Sequence, residues 1–214
     1  ASLNDLRDTL LSYFKPIKGG VKAVLLSSGG STVISDLGGN SGVKKGMRVA
    51  IKREGSAFLH PITKEPIGRI EKPVGIAEAT EVTPDSSMLV VVEGEAQVGD
   101  ILRLSSAKVT ALYQQTKDAD WFLLDEYLRR LDETGRFDLI EAAPASEDKE
   151  ILERAKGIGA DMAIVLSPDG SMLKQRLLWV DKPEEFSSLS VKIDEAYINN
   201  LKLGKELFMP KAKK

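Results

Sequence analysis

The sequence has no cysteine and a single histidine, His60. Without cysteine there are no disulfides, no thiolate nucleophiles and no thiolate metal ligands. The compartment stays open, because a chain with adequate hydrophobic cores needs no disulfide outside the cytoplasm. A lone histidine has no second imidazole or thiolate with which to build a zinc site. Beside Pro61 on an expected hairpin, His60 reads as structural or simply exposed. Aromatic residues are sparse at 6%, and Phe58 is the one aromatic between positions 18 and 104. Long apolar runs are also missing. The longest, at 88–92 and 163–166, are strand-sized, far short of the roughly 18 residues of a membrane-spanning helix. Net charge is −2, so the global basic field of a nucleic-acid binder is absent.

What is present is a chain of 214 residues with 42% hydrophobic and 29% charged content, the composition of a folded protein with one large or two ordinary domains. Its most informative stretch runs from Gly39 to Ile51. A turn rich in glycine and polar residues feeds a strand that points Met47, Val49 and Ile51 inward and Arg48, Ala50 and Lys52 outward. A shorter relative recurs at 98–104.

Before this stretch, residues 2–15 have helical spacing. Leu3, Leu6, Leu10 and Phe14 share a face, Ser2 can cap, Asp5 lies in the first turn, and Pro16 ends the run. Such a stripe packs on the strands that follow or on another neighbour. Residues 18–104 read as strands throughout, at 21–28, 31–37, 47–53, 66–81, 86–93 and 100–104. Glycine and proline turns punctuate them, including a tight hairpin at 28–31. Short strands without helical spacing predict a small antiparallel β-barrel or sandwich.

At Ser105-Ser106 the pattern changes to alternating strand and helix. A strand at 108–115 leads to a helix capped by Asp118 or Asp120, with Trp121, Leu124, Leu128 and Leu131 facing inward and Gly135 as its stop. Further strands follow at 137–142, 161–167, 173–180 and 186–193. A second helix is capped by Ser146, with Ile151, Leu152, Ala155 and Ile158 inward. The strand at 161–167 is apolar at consecutive positions, so both its faces are covered. The expected fold class is α+β: an N-terminal helix (1–17), a small antiparallel β-barrel domain (18–104), an α/β sandwich domain (105–200) and a basic, solvated tail (201–214).

Two resemblances follow from these residues. Asp36-Leu37-Gly38, the run from Gly42 to Met47, His60-Pro61-Ile62-Thr63, Gly68-Arg69-Ile70-Glu71 and Val98-Gly99-Asp100 together resemble the C-terminal barrel domain of the flagellar assembly protein T family. That family places its α/β domain before the barrel, whereas here it follows. Glu133-Thr134-Gly135-Arg136-Phe137, and Ala155 to Asp161 running into a hydrophobic strand, are similar to the N-terminal α/β domain of the TolB translocation protein and to the curli-secretion lipoprotein CsgG. These resemblances imply an exported, non-enzymatic protein of the bacterial cell envelope, periplasmic or outer-membrane-associated, that binds other proteins. With no membrane-spanning helix expected, attachment would be peripheral or through a lipid anchor. The start at Ala1 instead of methionine points the same way.

Common chemistries find no foothold. The glycine run 38–46 lacks the Gly-Lys-Ser/Thr of a phosphate loop and precedes a strand instead of a helix. Ser27, Ser28 and Ser31 flank glycines without forming a Gly-x-Ser-x-Gly elbow. Glu147, Asp148 and Glu150 sit at a helix start, where carboxylates favour the dipole. Asp125, Glu126, Asp132 and Glu133 belong on a polar helix side, and Trp179 and Phe186 on adjacent strands read as core. No enzyme activity, cofactor or metal is expected. Lys44, Lys45, Arg48, Lys52 and Arg53 form a local basic strip, but Phe58 alone gives no series of stacking platforms, so nucleic acid is an unfavoured partner. The candidate partner-binding residues are Lys44, Lys45 and Arg48 on this strip, and Phe186, Leu189 and Val191 on an expected edge strand. The alternative reading is a small-molecule or glycan-binding protein that uses the cleft between its domains.

Overall fold

The computed structural model describes residues 2–27, 30–104, 108–115, 120–145, 147–169 and 171–206. It is a mixed α+β protein with two sheets and two compact units, one of residues 11–106 and the other of residues 1–10 with 107–214.

In the first unit, strands β1 (Ile17–Ser27), β2 (Gly30–Ser35), β3 (Arg48–Leu59), β4 (Pro66–Val82), β5 (Ser87–Gly94) and β6 (Ile101–Leu104) pair in the order β1-β2-β5-β4-β3-β6. All these pairings are antiparallel. The ladder closes on itself because β6 returns to β1, from Ile17↔Leu104 to Gly20↔Ile101. The residues of the expected 28–31 hairpin turn at 28 and 29 lie outside the described residues. Met47, Val49 and Ile51 are buried as their alternation predicts, in a core with Val21, Val33, Ala77, Leu89 and Leu102. The glycine-rich stretch before them is stitched to the end of β4. Gly39 and Asn40 donate to the carbonyls of Thr83 and Pro84, and Gly46 donates to Ala79. β4 and β5 pair from Gly75↔Gly94 to Val82↔Ser87.

In the second unit the sheet order is β11-β10-β9-β7-β8, built from β7 (Val109–Gln115), β8 (Phe137–Glu141), β9 (Met162–Asp169), β10 (Met172–Trp179) and β11 (Glu185–Lys192). β7 lies parallel to β8 and β9, while β10 and β11 continue antiparallel. Helices α2 (Trp121–Asp132) and α3 (Asp148–Gly157) make the crossovers. Consecutive burial from Met162 to Leu166 follows from cover on both sheet faces.

α1 (Leu3–Ser12) buries Leu3, Leu6 and Leu10. Ser2 Oγ accepts from the Asn4 amide and the Asp5 carboxylate from the Ser2 amide, a reciprocal cap. The helix as far as Leu10 belongs to the α/β unit. There the Leu6 carbonyl accepts from Gln175 Nε2 at 3.2 Å, and Asn4 accepts from Arg130 at 2.7 Å. The Tyr127 hydroxyl donates to Gln175 Oε1 in the same buried chain. Tyr127→Phe is expected to destabilise this unit by about 1–3 kcal/mol, because a buried amide oxygen loses its donor. Urea denaturation followed by tryptophan fluorescence measures this.

Several expectations need correction. The buried face of α2 is Leu123, Leu124, Tyr127 and Leu131, whereas Leu128 is half-buried and Trp121 is 53% exposed. The inward stripe is thus rotated by about one residue. Glu126 is not on a solvated side. It is buried and held by Arg129 and Arg130, which keep its carboxyl below the ordinary range. Asp120 caps α2, accepting from Phe122 at 3.0 Å and Leu123 at 3.4 Å; Asp118 lies outside the described residues. Ser146 also lies outside them, and the residue at the cap position of α3 is Glu147. Asp148 is engaged by Arg176 at 2.7 and 2.9 Å. Residues expected to straddle a domain end and a solvated tail form helix α4 (Glu195–Glu206) instead, tied to α2 by Arg130–Tyr197 and Lys202–Asp120 contacts of 2.8 Å each.

Candidate docking surfaces

β3 and β4 are far longer than the barrel requires. β6 pairs with β3 at Ala50–Lys52, and β5 pairs with β4 from Gly75 to Val82. Beyond those positions, among the described residues, the two strands pair only with each other, through Arg53↔Lys72, Glu54↔Glu71, Ala57↔Arg69, Phe58↔Gly68 and Leu59↔Pro66. The result is a two-stranded arm whose residues 54–59 and 61–70 are all exposed.

The base of the arm is clamped by charge. Glu71 is bound by Arg103 at 2.6 Å, with Lys52 at 3.5 Å and Lys18 at 3.9 Å. Hydrogen bonding from Arg103, ahead of the attraction of the lysines, holds the Glu71 carboxyl below the usual glutamate range. Arg53 joins Asp100 at 2.9 Å and Glu95 at 2.8 Å. At the tip the backbone satisfies itself. The His60 amide donates to the Glu65 carbonyl at 2.8 Å and the Lys64 amide to the His60 carbonyl at 3.0 Å. His60 Nδ1 accepts from the amides of Ile62 and Thr63 at 3.3 and 3.1 Å. His60 is therefore a turn-forming acceptor.

Between the clamped base and the closed tip, Phe58, Leu59, Ile62, Ile67 and Ile70 are 47–84% exposed. Phe58 and Leu59 sit where the β3–β4 ladder shifts register, between Phe58↔Gly68 and Leu59↔Pro66. The sequence reading missed this surface, leaving residues 54–65 without a strand. The signal was there: an apolar pair at 58–59, a turn at Pro61, and a β4 segment too long for a small barrel.

The expected edge strand is an edge. β11 pairs with β10 and with no other strand among the described residues. Val191 is buried, Leu189 is half-buried, and Phe186 stacks on Trp179 with ring centroids 4.4 Å apart. Phe186 and Val191 thus anchor the strand, whose side away from β10 has no strand partner among the described residues.

The basic strip is internally satisfied in large part. Lys44 Nζ donates to Ser12 Oγ at 2.7 Å and lies 5.5 Å from the centre of the Tyr13 ring. Arg48 is paired with the buried Glu78 at 3.1 Å, and Lys52 and Arg53 are engaged at the arm base. Lys45 is exposed.

No protein-family model matches the chain, and no curated protein matches it in sequence. Among solved structures it has a low-scoring likeness to the LpoB C-terminal domain from Salmonella enterica, at 14% identity and a TM-score of 0.34, covering 42% of this chain and 86% of that one. The LpoB C-terminal domain from Escherichia coli gives 16% identity and a TM-score of 0.32 over the same shares.

Among the described residues, no group of three or more His, Asp or Glu side chains is placed to hold a metal ion, and no helix is long and apolar enough to cross a membrane. Buried Tyr113 and Gln114 in β7 have side-chain polar atoms without a hydrogen-bond partner. They are buried, at 1% and 0% exposure.

Proposed function

We propose that this protein is a non-catalytic module of the bacterial cell envelope that docks onto another protein through the β3–β4 arm. One observation carries the reading: a two-stranded ribbon that leaves the barrel carries five exposed large apolar side chains. An isolated hairpin is marginally stable in water, and exposed apolar side chains along it favour a partner that covers them. The clamped base fixes where the arm leaves the barrel. The envelope setting and the absence of catalysis come from the resemblances of the sequence and from the catalytic motifs it lacks.

The test places a photo-cross-linking amino acid at Ile62 and, as a control, at exposed Asp138. The protein is illuminated in envelope preparations. One discrete cross-linked protein is expected from position 62 and none from position 138. Replacing Phe58, Leu59, Ile62 and Ile67 with serine should abolish the cross-link while the circular dichroism spectrum stays unchanged. Parallel assays use single-stranded DNA, a glycan panel and phospholipid vesicles. Salt-sensitive DNA binding lost on replacing Lys44, Lys45 and Arg48 would sink the proposal, as would vesicle or glycan binding with no protein captured.

A further inference from the structure

We infer that the free edge of β11 and the cavity at its end form a second binding site, which takes an extended peptide segment with one aliphatic or aromatic anchor beside a basic residue. The inference rests on the reading of the chain as a protein-binding module but uses a different surface from the arm.

The backbone defines the shape of the ligand. β11 pairs with β10 from Lys192↔Met172 to Glu185↔Leu178, and its other side has no strand partner among the described residues. A strand edge of this kind is matched by another strand, which gains main-chain hydrogen bonds whatever its side chains. Sequence preference then comes from pockets along the edge.

A pocket is present. Just past the end of β11, the Ile193 amide donates to the Ser171 carbonyl at 2.9 Å. Ile193 there joins Leu123, Met172, Leu173 and Ile198 in lining a cavity of about 320 Å³. The walls come from α2, β10 and α4, so the cavity is held by regular structure. Its volume lies at the lower end of the range for ligand pockets, enough for one large apolar side chain with space to spare. Its wall at Ile193 directly follows Lys192, the last residue of β11.

Charge sets the neighbour of the anchor. Asp120, Asp194 and Glu195 stand around this end of the edge against Lys192 and Lys202, and Lys202 is already bound to Asp120 at 2.8 Å. The balance is acidic. A lysine or arginine next to the anchor complements it, whereas an acidic residue there is repelled.

The experiment pans a phage library of random dodecapeptides on the whole chain and measures selected peptides by fluorescence polarisation. The enriched peptides are expected to alternate apolar and polar residues, with a basic residue beside one Leu, Ile or Phe. Methylating alternate backbone amides of a selected peptide should weaken it by about tenfold or more. Ile198→Trp, which fills the cavity, and Glu195→Lys, which reverses the rim charge at an exposed position, should each weaken it by a similar factor. Glu195→Lys retains a meaning if Ile198→Trp fails to fold. Failure to enrich any peptide overturns the inference, and so does binding that survives the methylation or survives Glu195→Lys. Dimerisation through β11 without peptide binding overturns it as well. The arm variant with four serines should bind the peptide normally, so a failed arm proposal and a failed edge proposal give different results.

Discussion

Leu6→Ala is expected to lower the stability of the α/β unit by about 2–5 kcal/mol, as for other fully buried leucines, and to leave the barrel unit as it was. Leu6 is 0% exposed, and its helix belongs to the unit that otherwise begins at residue 107. Its backbone carbonyl also accepts from the buried amide of Gln175. A cavity at Leu6 therefore opens beside a buried polar chain, which resists collapse. The measurement separates the units without labels, because both tryptophans, Trp121 and Trp179, lie in the α/β unit. Their fluorescence midpoint in urea should fall, while hydrogen exchange in β2 and β5 should not change. Leu89→Ala, in the barrel core, should do the reverse. A Leu6→Ala protein with an unchanged tryptophan midpoint would place α1 elsewhere.

Gly94→Ala should have an effect of similar size on the other unit. Gly94 has φ +73°, which side chains rarely adopt, and a Cβ built there would lie 2.1 Å from the Val74 carbonyl oxygen. The obstruction is backbone in the paired strand and has no rotamer with which to move aside. Left-handed strain and forced overpacking together should cost about 2–6 kcal/mol. The loss should appear as faster exchange along β4 and β5, with the tryptophan signal intact. Gly68→Ala is the control. Nothing lies within 4 Å of a Cβ at Gly68, so stability should change by no more than about 0.5 kcal/mol.

The alternation of Met47, Val49 and Ile51, the run of buried residues in β9 and the change of pattern after Leu104 were legible because each is a local periodicity. The partner of α1 was not, since an apolar stripe states that a helix packs but not on what. The rotation of α2 was missed because Tyr127 reads as amphipathic and Leu128 as core, whereas the Tyr127 hydroxyl finds Gln175 some 48 residues away in sequence. α4 was hidden by a sequence that carries Asn199, Asn200 and Gly204 in its interior and whose helical state is tied down by α2. Of the proposed binding surfaces, the β11 edge could be anticipated from its position as the last strand. The arm could not be found by looking for polar or catalytic residues, because its signature is ordinary strand chemistry that lacks burial.

In its connectivity the chain is an α/β unit with a barrel inserted after its first helix. During synthesis α1 leaves the ribosome roughly a hundred residues before the sheet it will join, while the barrel sequence between them can pair as it emerges. The contact between Leu6 and Gln175 spans 169 residues, among the last kind of contact to form when loop closure limits folding. Variants that slow barrel folding should delay the α/β unit too, a kinetic dependence that equilibrium stabilities of the two units would not reveal.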